Sequence, residues 1–191
     1  TSFMGTQSNF FKFNNTLYNP LELGLIKKEE NTIISETKAR FKSNFEFKKH
    51  IENKFQNVFV STLKNQELEI DFKNHIEFLL EELFLENEFV TKDWLNEIYI
   101  SNYNDTKFLI NILKIIGNLD KKLLKSFGIV ISGSALIHKS VEVKEMAIRV
   151  FENWNTIESY TFLKNCSLAP KWLEDYKNEV LANIEEELCL I

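Results

Sequence analysis

The chain has 191 residues, 44% hydrophobic and 27% charged, which suits one domain with a continuous core and excludes a fibre or a linker. Five Gly and two Pro are too few for the frequent turns of a sandwich or barrel, so the composition points to helices joined by short connections. Residues 1–66 carry ten Lys or Arg against six Glu, net +4, while the remainder carries −9, so most of the molecule repels phosphate.

The first 37 residues read as an arm. Phe10–Phe13 and Thr16–Tyr18 flank Asn14 and Asn15, whose tolerance of positive φ suits a two-residue hairpin turn, and Pro20 ends the pair. Leu23–Ile26 and Thr32–Ile34 flank Lys27–Asn31 and fit a second hairpin or a loose helix equally well. The arm is too short for a core of its own, so the domain division is 1–37 for the arm and 38–191 for a helical body.

From about residue 38 the apolar period becomes 3.6. Phe47, Ile51, Phe55, Val58 and Leu63 make one stripe of a helix, ringed by Lys48, Lys49, Lys54 and Lys64. A second helix, from Phe72 to Val90, has one stripe of Phe72, Ile76, Leu79, Leu83 and Val90 and another of Phe78, Leu85 and Phe89. Two stripes predict cover on both sides. Between them runs an acidic strip, Glu77, Glu81, Glu82, Glu86 and Glu88, that complements the basic helix before it.

Shorter capped helices follow. Thr91 caps a segment carrying Trp94, Leu95, Ile98, Tyr99 and Tyr103, and Asn104 or Asp105 caps one carrying Phe108, Leu109, Ile112, Leu113 and Ile116, ended by Gly117 and Asn118. Asp120 opens the next, in which Leu123, Phe127, Ile131 and Ala135 recur every four residues. That spacing overrides the strand-like run Ile129–Ile131, and Gly128 and Gly133 leave room for a neighbouring backbone. Ser140 caps a helix with Val143, Ala147, Val150, Phe151 and Trp154, Thr156 caps one with Ile157, Tyr160 and Leu163, and Pro170 opens the last. Trp94, Trp154 and Trp172 fall near helix ends, where an indole N–H finds a carbonyl.

The expected fold is all-α: about eight helices in four antiparallel pairs. Residues 35 apart match, Lys114 with Arg149, Ile115 with Val150, Ile116 with Phe151 and Asn118 with Asn153. With Leu136-Ile137, Val143-Lys144, Ala147 and Val150-Phe151, residues 92–188 resemble the HEAT-like (armadillo-type) helical repeats, most closely at 120–154. Lys144 stands where that family has Arg, Val150 replaces its second Ala, and its turn Asp is missing. The resemblance implies a right-handed α-solenoid with an extended inner surface that holds other macromolecules.

Chemistry is sparse. His50, His75 and His138 have no ligand partner at metal spacing, Gly133-Ser134-Ala135 is no nucleophile elbow, and no glycine-rich phosphate cradle occurs. Glu69–Lys73 holds a D-x-K fragment, but Asp71 is the first Asp in the chain and the fragment reads as a helix start. Cys166 and Cys189 have no metal spacing and make no disulfide framework. No 18-residue apolar run and no basic-led apolar leader appear, which gives the expectation of a cytoplasmic protein off the membrane. The expected function is a non-enzymatic, cofactor-free scaffold for a protein partner, bound through Lys107, Asn111, Lys114, Glu145, Arg149 and Glu152. One alternative is an acidic inhibitor or immunity-type protein that masks a basic target with the acidic strip. Another is a nucleic-acid accessory protein using Lys42, Lys48, Lys49 and Lys54, against which stand the acidic body and the scarcity of Arg, with only Arg40 and Arg149.

Overall fold

The structure is a computed structural model that describes residues 11–13, 16–18, 43–69 and 72–189. Among these, β1 (Phe11–Phe13) and β2 (Thr16–Tyr18) pair antiparallel, Phe11 opposite Tyr18 and Phe13 opposite Thr16, and β1 lies beside α3. The second apolar pair of the arm, Leu23–Ile26 and Thr32–Ile34, lies outside the described residues. The body is all-helical: α1 (Asn44–Lys54), α2 (Gln56–Asn65), α3 (His75–Glu86), α4 (Glu88–Ser101), α5 (Thr106–Asn118), α6 (Lys121–Leu124), α7 (Ser126–Ala135), α8 (Val141–Trp154), α9 (Ile157–Lys164) and α10 (Lys171–Glu187).

Local chemistry sets most starts. Asp105, Asp120, Ser140 and Thr156 each accept from a backbone N–H of the helix they open, as the polar spacing predicts. Three expected helices are instead divided. The basic helix breaks at Phe55, the Phe72–Val90 helix starts only at His75 and breaks at Asn87, and the four-residue repeat of 123–135 breaks at Lys125. Asn87, not Thr91, caps α4; Thr91 is a buried helical residue whose hydroxyl donates to Leu83 O at 2.8 Å. Pro170 sits at the N-cap of α10, one position before the expected one.

Packing follows a regular succession. α2 touches α5, α5 touches α8, and α8 touches α10; on the other side α1 touches α4 and α7 touches α9. Tyr99 and Ser134 hydroxyls, 2.9 Å apart, tie α4 to α7, and just beyond the ends of these helices His138 Nε2 lies 2.9 Å from Tyr103 O. One core runs through all of this, from Phe47 in α1 to Ile184 in α10. Phe55, Phe59 and Trp94 pack as tilted and edge-on rings about 5.3–5.5 Å apart, an aromatic anchor between α2 and α4.

The two glycines of α7 serve side chains, where sequence suggested a neighbouring backbone. A Cβ on Gly128 would meet Trp154 Cη2 at 2.3 Å, and one on Gly133 would meet Phe162 Cζ at 2.3 Å. Large rings from α8 and α9 therefore fill the space, and small residues in α7 are what lets them in.

Candidate functional site

The connection after α2 builds a groove with a charged rim. Gln66 turns extended, with φ −100° and ψ 157°, and leads to Leu68, which is buried. Asn111 of α5 holds this segment in place of a strand: its Nδ2 donates to Leu63 O at 2.8 Å and Gln66 O at 2.9 Å, and its Oδ1 accepts from Leu68 N at 3.4 Å. One turn later Lys114 Nζ donates to Leu68 O at 2.8 Å. The last carbonyls of α2, which lack an intrahelical partner, are thereby satisfied by a neighbouring helix.

Beside that segment α8 presents Glu142, Glu145, Met146 and Arg149, spaced to share one helix face. A groove of about 520 Å³ lies between them, with Leu68, Ile110 and Met146 as its apolar part and Glu69, Lys114, Glu142, Glu145 and Arg149 as its charged rim. The rim cations are already engaged: Lys114 on the Leu68 carbonyl, and Arg149 Nη2 on Glu145 Oε1 at 2.8 Å, a bond that raises the guanidinium pKa further. Ser140 Oγ donates to Glu142 at 2.5 Å and lowers that carboxyl below its ordinary value. Three carboxylates thus face two cations, and the rim is slightly negative. Farther along α8, Glu152 accepts from Tyr176 OH of α10 at 2.6 Å.

Of the six residues expected to meet a partner, Lys114, Glu145 and Arg149 line this groove, Lys107 and Glu152 are exposed on the same two helices, and Asn111 is corrected to a structural role by its burial. Its place on an otherwise apolar face was the signal of that role. Of the acidic strip, Glu77 alone is buried, while Glu81, Glu86 and Glu88 are part-buried. Glu81 pairs with Lys73, and Glu88 pairs with Lys92 and Lys125; Glu82 is exposed. The expected neutralisation by the basic helix falls elsewhere, because Lys48 reaches Asp93 at 3.0 Å and Glu97 at 2.6 Å on α4, and its hydrogen bond to Glu97 leads in raising its pKa. Lys49 lies over the Phe45 ring, Lys54 is exposed, and Lys42 lies outside the described residues.

Glu77, which the sequence reading placed on the acidic strip, is instead a buried acid. Its Oε1 accepts from Asn118 Nδ2 at 3.3 Å, its Oε2 has no partner, and burial pushes its carboxyl up to about 7. His138 is also buried and structural, accepting from Ser140 N through Nδ1 at 3.0 Å. Both cysteines are free, and burial pushes the Cys166 thiol up. No cluster of three or more His, Cys, Asp or Glu that could hold a metal occurs among the described residues, and none of their helices is long and apolar enough to cross a membrane. No protein-family model, no curated protein and no solved structure matches the chain.

Proposed function

We propose that the protein is a non-catalytic scaffold of HEAT-like repeat character that holds a segment of another protein in the groove between the segment after α2, α5 and α8. The observation that carries this reading is the groove itself, in which three elements combine an apolar strip with a charged rim whose carboxylates outnumber its cations three to two. A solenoid reading of the body is supported by the succession α2, α5, α8, α10 and by contacts that join residues one repeat apart: Tyr99 to Ser134 and Tyr103 to His138, each pair separated by 35 positions. In such stacks the inner helices line an extended surface, and α5 and α8 occupy that place here.

The chemistry of the groove selects its occupant. Leu68, Ile110 and Met146 accept one apolar anchor, and Met adapts to varied shapes. Glu69 and Glu142 then favour Lys or Arg flanking that anchor. The test is co-purification of the tagged full chain from native extract, compared with Glu69→Gln/Glu142→Gln, which removes two exposed rim charges and touches no buried side chain. The reading expects a protein that is retained by the wild type, released by salt, and lost from the variant at unchanged melting temperature. Equal retention by both, or recovery of nucleic acid in place of protein, overturns it.

A further inference from the structure

The segment after α2 has two backbone edges, and α5 uses one of them. In an extended chain the N–H and C=O groups of alternate residues point to opposite sides. Gln66 has extended angles, and the groups bound by α5 belong to positions 66 and 68: Asn111 Nδ2 donates to Gln66 O at 2.9 Å, Asn111 Oδ1 accepts from Leu68 N at 3.4 Å, and Lys114 Nζ donates to Leu68 O at 2.8 Å. This every-second-residue pattern is that of a strand beside a neighbour. Two side chains of α5 stand in for the neighbour.

Glu67 and Glu69 carry the opposite edge. Both residues are exposed, and their backbone N–H and C=O groups have no hydrogen-bond partner among the described residues. An uncovered edge of this kind is a template for pairing with another chain. It borders the groove, since Leu68 and Glu69 line it together with Ile110 and Met146. Side chains alternate as the backbone does, so Glu67 and Glu69 share one face of the segment and the buried Leu68 takes the other.

We infer that the partner's segment binds in extended form, as a short antiparallel strand added to the edge of Glu67 and Glu69, and that its sequence runs basic, apolar, basic. The inference rests on the groove reading above and specifies how the groove is filled. Residues opposite Glu67 and Glu69 exchange both backbone hydrogen bonds with them, and their side chains fall on the face of the two carboxylates, where Lys or Arg is favoured. The residue between them lies opposite Leu68 and shares its face, so Leu68, Ile110 and Met146 receive it. A helical occupant spends its own backbone groups internally and leaves this edge unpaired.

The probe is an acetylated and amidated Ser-Thr-Lys-Leu-Lys-Thr-Ser peptide, titrated into the full chain labelled with 15N and at the methionine methyls. Amide signals of Glu67 and Glu69 read the edge, and the Met146 methyl reads the groove. The expected result is a saturable shift of all three signals, with slowed exchange at both amides. N-methylation of both lysines removes the donors that face the edge and should weaken binding at least about tenfold, whereas N-methylation of the leucine, whose N–H points away, should change it less than about threefold. A peptide that moves the Met146 methyl yet binds equally well with both lysines N-methylated overturns the inference and leaves the groove reading standing. A peptide that moves none of the three signals overturns the inference as well. Failure of the groove reading has its own mark: exchange of the leucine for serine leaves the affinity unchanged and the Met146 methyl stays unmoved, which also overturns the apolar centre of the inferred pattern.

Discussion

Helices α3 and α5 look alike in sequence, each with two apolar stripes and little room for polar residues, yet the fold treats them differently. α5 is enclosed: Phe108, Leu109, Ile112, Leu113, Ile115 and Ile116 are all fully buried, because α2 lies on one side and α8 on the other. α3 buries Ile76, Leu79, Leu80, Leu83 and Phe84 but leaves Phe78 48% and Leu85 70% exposed, and Phe89 just beyond it is 74% exposed. Its neighbours are α4, α6 and β1. An apolar stripe therefore announces that a helix can be covered, and only the path of the chain decides whether a second neighbour arrives.

The largest expected effect tests the enclosure of α5. Phe108→Ala empties a site with no solvent-facing wall and should cost about 3–5 kcal/mol in urea unfolding. A loss below about 1 kcal/mol would mean that α5 is not packed from both sides, which erases the contrast with α3.

Each helix also buries one polar side chain, and these sharpen the comparison. Asn111 in α5 uses both amide hydrogens and its oxygen on backbone, whereas Glu77 in α3 keeps one oxygen unpartnered. Asn111→Ala leaves the carbonyls of Leu63 and Gln66 without their donor and should cost about 1–3 kcal/mol. It should also loosen Leu68, visible as faster amide exchange at that residue. Unchanged exchange there would show that the groove segment is held by Lys114 alone.

Much of this was legible in advance. Asp105, Asp120, Ser140 and Thr156 announce helix starts because a short oxygen-bearing side chain satisfies a nearby amide, a matter settled within four residues. The breaks at Phe55, Asn87 and Lys125 were not legible, since neither Gly nor Pro stands there and two of the three breaks keep the apolar spacing on both sides. Lys125 even adopts a left-handed φ of 51° that its chemistry does not favour. The site was legible in the same partial way. Glu145 and Arg149 share a face of α8 that spacing reveals, but the segment at Leu68 meets Asn111 and Lys114 from 43 and 46 residues upstream, which no local pattern shows.

Glu77 gives the next smaller effect, and its sign follows from burial. Its carboxyl sits near 7 in the fold against an ordinary value of 4.5, so the folded state holds a proton that the unfolded state releases. Stability from this group is fully present below about pH 4.5, declines as pH rises toward 7, and stays lost above it. Glu77→Gln keeps an acceptor for Asn118 and removes the titration, so the variant should match the wild type near pH 5 and exceed it at pH 8. Lys73 and Glu81 face the same carboxyl with opposite signs, and burial lowers the pKa of His75 at the start of the same helix, which makes the difference between the two proteins the proper measure. A constant difference across this range would place the Glu77 carboxyl in water.

The smallest effect belongs to the outward stripe of α3. Phe78→Ala and Leu85→Ala remove apolar surface that already meets water, so each should change stability by no more than about 1 kcal/mol. Because Ala also has the better helix propensity of the two residues at each position, part of any lost contact is offset. Lys73 lies over the Phe78 ring at 5.6 Å, a contact of about 0.5–1 kcal/mol at an exposed site, so Phe78→Ala should cost slightly more than Leu85→Ala. That ranking distinguishes two sources of stability on the same stripe. If Leu85→Ala costs as much as Phe108→Ala, the outward face of α3 is covered in solution, and the contrast between the two helices disappears.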